Sequence, residues 1–287
     1  MADASPMTLA APIRVYVGSA RSHRLLVDVL AWSIRRHTRR TVEVHAIGEL
    51  LPDGVPMPRK PENRPATPFS FQRFAVPELA GFSGRAIYVD SDQLVLRDIA
   101  ELFDRPMHGM RLQRRTRWGP DGRARDRASS VMLLDCARLD WRPQRIADEL
   151  DAGRYSYKDL MRLRTLWLKG SFPRHWNAFD HLEPGRTGLL HYTRRRTQPW
   201  LARNHPHGAA WFEALYAGLD AGEITMDSVV AAHAQGYVRP SLLWQVEHRL
   251  LQSADVPASF HAADEAFYEH CRRNQFNNLD GDYRSPG

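Results

Sequence analysis

Polar and apolar positions change rhythm several times along the chain. Ile13, Val15 and Val17 alternate with polar neighbours, a period of two that predicts a strand. Leu26, Val29, Leu30, Ser33, Ile34 and His37 then recur at helical spacing, and Thr41 to Ala46 alternates again. Strand, helix, strand in close succession predicts a βαβ unit, so the sheet should open parallel. Ala86-Ile87-Tyr88-Val89 predicts a short buried strand that runs straight into Asp90-Ser91-Asp92. Val131 to Leu134 predicts another, and Thr187 to Leu190 one that delivers His191. Helices are expected over Phe71 to Leu79, Ile99 to Phe103 behind an Asp98 cap, Pro143 to Leu150, and within Tyr155 to Leu168.

Two stretches break the rhythm. Leu51 to Pro68 carries six prolines and no period, which predicts a long binding loop or a disordered stretch. Arg111 to Arg127 is arginine-dense and turn-rich, with Gly119-Pro120-Asp121-Gly122 at its tip. Beyond Trp200 the pattern is mainly helical, with helices expected at Ala209 to Leu219 and Asp227 to Ala234. Phe212, Leu215, Leu219 and the Val229–Val230 pair should face the rest of the domain. The organisation read from this is a flexible tail over 1–12, an α/β domain over 13–200, and a helical extension over 201–287 packed on it.

Composition narrows the class. With 287 residues, 43% hydrophobic and 25% charged, the chain can bury a large core unaided. Cys136 and Cys271 are too few for a disulfide framework, which points to a reducing compartment. No apolar run reaches the length of a membrane span, and the N-terminus lacks the basic and apolar regions of a signal peptide. A cytoplasmic protein is expected, with at most peripheral contact at the inner membrane face through the basic aromatic segment Phe267 to Arg273. The net charge is +7, and of the 40 basic residues only Lys60, Lys158 and Lys169 are lysines, leaving 37 arginines. Arginine suits phosphate-bearing ligands, although a codon bias toward arginine explains such a count equally well. A nucleic-acid partner is not expected, because the arginines are scattered and no recognised module or stacking motif accompanies them.

Asp90-Ser91-Asp92 is the sharpest local feature. Alternate residues of a strand point the same way, so the two carboxylates can share one hard cation. They would do so at the C-terminal end of a strand, where open α/β sheets bind ligands.

Six blocks in order give this feature a context. They are Ile13 to Ser19, Phe69-Ser70-Phe71-Gln72-Arg73-Phe74, Ala86 to Val95, Ser129 to Leu134, Pro173-Arg174-His175-Trp176-Asn177, and His191-Tyr192-Thr193 through Gln198-Pro199-Trp200. Together they resemble glycosyltransferase family 8 and its bacterial relatives over roughly Ile13 to Trp200. The resemblance implies a GT-A fold: a Rossmann-like, mixed but mostly parallel sheet flanked by helices. It implies a hexosyltransferase that takes a nucleotide-sugar, expected to be a UDP-sugar, and retains anomeric configuration. The acceptor would be a glycan, a lipid-linked acceptor or a small molecule; a homo-oligomer is left open.

The same resemblance assigns the residues. Asp90, Asp92 and His191 would hold Mn²⁺ or Mg²⁺, the imidazole favouring Mn²⁺. Val17, Gly18 and Ser19 would form the first nucleotide-binding strand and loop, with Arg73, Asp90, Ser91, Ser129, Arg195 and Gln198 also on the donor. Asp159 and Asn177 are the candidates near the transferred sugar. Pro199 and Trp200 should support the last block by packing.

Departures from the pattern are as definite. Ala20 stands where the family offers an aspartate to the nucleobase, and Ser129 where it often has asparagine. Gln198 replaces the diphosphate lysine, and the glycine of the last block gives way to Arg194-Arg195-Arg196, one residue longer. The rival readings are a catalytically weak homologue that keeps the pocket, a nucleic-acid binder, and a nucleotidyltransferase.

Overall fold

The computed structural model describes residues 11–65, 68–118 and 124–274. The expected N-terminal tail up to Ala10 and the Gly119–Gly122 tip lie outside the described residues. The strands are β1 (Ile13–Gly18), β2 (Val42–Ala46), β3 (Arg85–Asp90), β4 (Gln93–Val95), β5 (Leu112–Trp118), β6 (Ala124–Asp135), β7 (Lys169–Phe172), β8 (Ala178–Phe179) and β9 (Leu189–His191). Helices α1 (Arg24–Arg35), α2 (Ile47–Leu50), α3 (Val76–Leu79), α4 (Ala100–Phe103), α5 (Pro143–Asp151) and α6 (Tyr157–Met161) lie between them. Helices α7 (Gly208–Asp220), α8 (Met226–Ala234), α9 (Ser241–Glu247) and α10 (His261–Arg273) follow the last strand.

Six strands form the main sheet in the order β2-β1-β3-β6-β5-β7. The β2-β1-β3 half is parallel, as the βαβ reading required, and β6 runs antiparallel to both β3 and β5. β7 closes the far edge parallel to β5. Since β6 opposes both of its neighbours, β1, β3, β5 and β7 all deliver their C-terminal ends to one edge. A second, three-stranded sheet, β4-β9-β8, sits beside that edge.

The period of two works as the sequence implied. Ile13, Val15 and Val17 of β1, with Ile87 and Val89 of β3, join Leu30 and Ile34 of α1 on one face. Tyr16, Ala86 and Tyr88 point to the other face, which Phe71, Phe74, Trp141, Ile146 and Leu150 cover. Helix α1 is buried on a second side too: Leu25, Leu26 and Val29 pack with Trp211, Phe212 and Leu215 of α7. A helix that is apolar on two sides must be sandwiched, so α1 joins the sheet to the C-terminal helices.

Several expectations need correction. The Arg111–Arg127 stretch is largely strand, the arms of a β5–β6 hairpin. The Phe71–Leu79 helix is a 3₁₀ helix, Pro68–Ala75, followed by the single turn of α3, because Pro77 at the start of α3 cannot continue a hydrogen-bonded helix. Val229 is buried but Val230 is exposed. Phe267 is wholly buried within α10, so it cannot touch a membrane. Among the described residues no helix is long and apolar enough to cross a membrane. Cys136 and Cys271 are free and buried in different cores.

Candidate active site

β3 ends at Asp90 and β4 begins at Gln93, so the Ser91-Asp92 turn stands on the C-terminal edge of the sheet. Gln93 pairs with His191 across β4 and β9, which brings the histidine of the last block beside the aspartates. Among the described residues, Asp90, Asp92 and His191 have ligand atoms that all lie within 4.8 Å of one another. His191 Nε2 is 3.1 Å from Asp92 Oδ1. That oxygen is buried and still lacks a hydrogen-bond partner of good geometry. An orphaned carboxylate oxygen facing an imidazole nitrogen and a second carboxylate is the donor set a divalent cation satisfies, so the residues fit the expected metal.

Each ligand candidate is held from behind. His191 Nδ1 meets Asn177 Oδ1 at 3.0 Å, and Asn177 Nδ2 donates to Ser130 Oγ at 3.0 Å. A proton kept on Nδ1 by the amide oxygen leaves the Nε2 lone pair toward Asp92. Asn177 is fully buried, with its amide between the His191 ring and the Ser130 hydroxyl. Asp92 Oδ2 accepts from Gln198 Nε2 at 3.1 Å. The Gln198 amide is therefore committed to Asp92 and to the Tyr192 carbonyl, 2.7 Å away, rather than extended toward a diphosphate.

Asp90 Oδ1 accepts from Tyr88 Oη at 2.6 Å and from Arg73 Nη2 at 3.3 Å. The Tyr88 phenol reaches under Gly18, where any Cβ would collide with it; glycine there makes room for the hydroxyl that orients Asp90. Arg73 is buried and gives Nη1 to Ser129 and Nε to the Ser70 carbonyl. It thus ties Ser129 to Asp90, and neither Arg73 nor Ser129 lines the cavity that opens over Asp90 and Asp92. Val17 belongs to the core, and Ser19 is pinned through its backbone by both ends of the Gln72 amide, at 2.9 and 3.0 Å.

Burial and mutual charge set the protonation. Burial pushes the Asp90 carboxyl up, and the Asp92 charge adds to that against the pull of Arg73. Burial also disfavours the Asp92 carboxylate, but the nearby His191 imidazole, when charged, outweighs it and holds Asp92 below its usual range. For His191 burial opposes the imidazolium, and Asp92 with Asp90 raises it above the ordinary value.

A cavity of about 300 Å³ opens over these groups. Asp90, Ser91, Asp92, His191, Arg195 and Gln198 line it. Trp200 closes its floor while packing on Tyr192 and Trp211. Asp159 is not among the lining residues: it caps α6 with Ser156 and pairs with Arg164 at 2.8 Å. His23 and Phe69 were missed by the sequence reading. They stand edge to face with ring centres 5.1 Å apart in the cavity wall, and His23 Nδ1 meets Ser91 Oγ at 2.8 Å.

This architecture has known counterparts. The apo form of glycosyltransferase GlyE from Streptococcus pneumoniae TIGR4 superposes with a TM-score of 0.50 at 14% identity, over 74% of this chain and 64% of that one. The galactosyltransferase LgtC, solved with donor and acceptor sugar analogues, gives 0.51 at 12% identity over 74% of this chain and all of its own. The bifunctional glycosyltransferase WbbM gives 0.50 at 12% identity, over 76% of this chain and 52% of that one. The chain therefore has the GT-A fold of glycosyltransferases, and the likeness to family 8 holds in three dimensions. In sequence it is 36% identical over 95 residues to Protein CDI of Arabidopsis thaliana, a stretch covering 32% of this chain and 36% of that relative. No protein-family profile matches the chain.

Proposed function

We propose that the protein is a metal-dependent glycosyltransferase that moves a hexose from a nucleotide-sugar, a UDP-sugar by expectation, to a glycan, lipid-linked or small-molecule acceptor. The observation that carries this reading is the convergence of Asp90, Asp92 and His191 within 4.8 Å at the wall of a cavity on the C-terminal edge of a GT-A sheet.

These three side chains would hold Mn²⁺ or Mg²⁺, which when bound neutralises charge on a departing diphosphate. The protein's own part is to keep the set rigid: Asn177 and Ser130 fix His191, Gln198 fixes Asp92, and Tyr88 with Arg73 fixes Asp90. Arg195 lines the same cavity, which supports the reading that it would meet the diphosphate in place of the absent lysine. Attack by the acceptor hydroxyl on the face the diphosphate leaves would retain configuration and needs no protein nucleophile. His23 and Phe69, set edge to face in the cavity wall, each offer a ring against which the base would pack, its usual aspartate partner being replaced by Ala20.

The test is a donor-hydrolysis screen with Mn²⁺ or Mg²⁺ and a panel of UDP-, GDP-, ADP- and TDP-sugars, with Asp92→Asn as control. Metal-dependent release of one nucleoside diphosphate, lost in the variant, is expected. Failure of every nucleotide to bind in the presence of metal would overturn the reading. Product anomers followed by NMR test retention separately.

A further inference from the structure

β5 and β7 end on the same edge of the sheet as β1 and β3, and two further cavities open there. One, about 340 Å³, is lined by Arg115, Arg174, His175, His181 and Arg186 among others; the second, about 790 Å³, adds Arg105 and shares Arg115 and Arg174. Four guanidiniums therefore face one lining carboxylate, Glu183, which Arg186 engages at 2.7 Å. Open α/β sheets bind ligands at this edge. A concave wall so unbalanced in charge raises the local concentration of anions.

Arg115 and Arg105 are held in place, whereas Arg174 and Arg186 stand exposed at the rim. Arg115 donates Nη1 to the Asn177 carbonyl at 2.6 Å, and its guanidinium lies 3.8 Å over the Phe179 ring. Phe179 in turn stands edge-on to His191, ring centres 5.4 Å apart. One aromatic ring thus separates the basic cavity from the metal-ligand histidine. Arg105 is steered by Gln113 at 3.4 Å. Arg174 has no ion-pair partner among the described residues. The crowding of cations is felt by His175, which burial first, and then Arg97, Arg105 and Arg186, hold below its ordinary value. Several guanidiniums around one pocket suit a multiply charged oxyanion, whose oxygens can accept from more than one of them at once.

We propose that these joined cavities bind a phosphoryl group carried by the acceptor, with Arg115 and Arg174 between them as the central contacts. The assignment to an acceptor rests on the transferase reading; the anion site itself does not. Two sources share this chemistry, a soluble sugar phosphate and the phosphate of a lipid headgroup.

Binding of inorganic pyrophosphate, measured by calorimetry in EDTA without any donor, tests the site independently of turnover. The wild-type protein is expected to bind, with the His175 and His181 imidazole resonances shifting in step. Arg174→Glu/Arg186→Glu should weaken binding at least about tenfold, while Arg154→Glu, a charge reversal at a distant exposed arginine, should not. Should the reversed protein fail to fold by circular dichroism, Arg174→Gln/Arg186→Gln gives the same comparison with a smaller loss. No binding to wild type, or equal binding to the double variant, overturns the site. Displacement of pyrophosphate by glucose 1-phosphate supports a soluble acceptor, and displacement by phosphatidylglycerol vesicles over phosphatidylcholine ones a lipid headgroup. Displacement by neither overturns the acceptor assignment, whatever the donor screen returns.

Discussion

Gln198 holds Asp92: its amide nitrogen donates to Oδ2 at 3.1 Å while sharing itself with the Tyr192 carbonyl. An ammonium at this position would repel a cation on Asp92, whereas an amide orients the carboxylate without adding charge. Gln198→Ala should therefore lower Mn²⁺ affinity about 10–100-fold, the usual cost of removing a group behind a ligand. Titration of Mn²⁺ followed by electron paramagnetic resonance reads this directly. Unchanged affinity would mean that Asp92 needs no such support.

Asn177 offers the matching experiment on His191. Asn177→Ala removes the acceptor for Nδ1 and strands the imidazole and Ser130 in a buried place. A loss of about 1–3 kcal/mol in stability is expected, with a fall in metal affinity of the order seen for Gln198→Ala. Asn177→Asp should behave differently, since a carboxylate still accepts from Nδ1 and adds negative charge beside the ligand set, so metal affinity should be kept rather than lost. Denaturant melts and metal titrations together separate the two effects.

Arg73 is expected to be intolerant of conservative change. It is buried, and it bridges Ser129, the Ser70 carbonyl and Asp90. Lysine cannot reach all three, and Arg73→Met leaves Asp90 without its cation. A destabilisation of about 3–5 kcal/mol is expected for Arg73→Met, as for other broken buried pairs. Equilibrium unfolding in urea checks it.

In metal-free protein the His191–Asp92 pair gives stability a definite pH dependence. His191 is raised above 6.5, so its contribution is complete below about that pH and is lost as the pH rises through the folded value. Asp92 is depressed below 3.8, so its contribution is present above that value and lost only on stronger acidification. The metal-free protein should therefore lose thermal stability from neutral pH upward, relative to His191→Gln. Metal must displace the His191 proton, so the stabilisation that Mn²⁺ confers should grow over the same interval. Melting temperatures in EDTA and in Mn²⁺ between about pH 5 and 8.5 test both signs.

The two cysteines supply a probe of global opening. Burial pushes both the Cys136 and Cys271 thiols up to about 12. Neither should react with a disulfide reagent in the native protein, and two should react in guanidinium. Fast labelling of either one under native conditions would report local opening of its core.

The parts of the fold that could be read in the sequence were those with length and period. β1, α1, β2 and β3 each carry enough alternating or helical positions to declare themselves, and the strand ending in His191 was visible from its apolar run. β4, β7 and β8 have two to four residues each, too few for any periodicity to register. β5 was hidden because its stretch is arginine-dense and turn-rich, although Arg114 is almost wholly buried in the sheet.

At the site, Asp90, Asp92 and His191 could be found because their motifs are local. Asn177 and Arg73 carry no local sign of what they touch, and only the fold shows them against His191 and Asp90. His23 carried no signal at all. A lone histidine at the start of a helix is ordinary until Phe69, Ser91 and Asp92 are seen around it.

The pairing of Gln93 with His191 joins stretches separated by roughly one hundred residues of chain, a long loop to close before any contact is made. The proposed cation site therefore does not exist in any folding species that has not already brought β9 onto β4. A metal ion should have little to hold in the early collapsed chain, and it should slow unfolding far more than it speeds refolding. Followed by stopped flow, metal would then act as a late latch on a finished molecule, and the time at which its signal appears would date the moment the two halves meet.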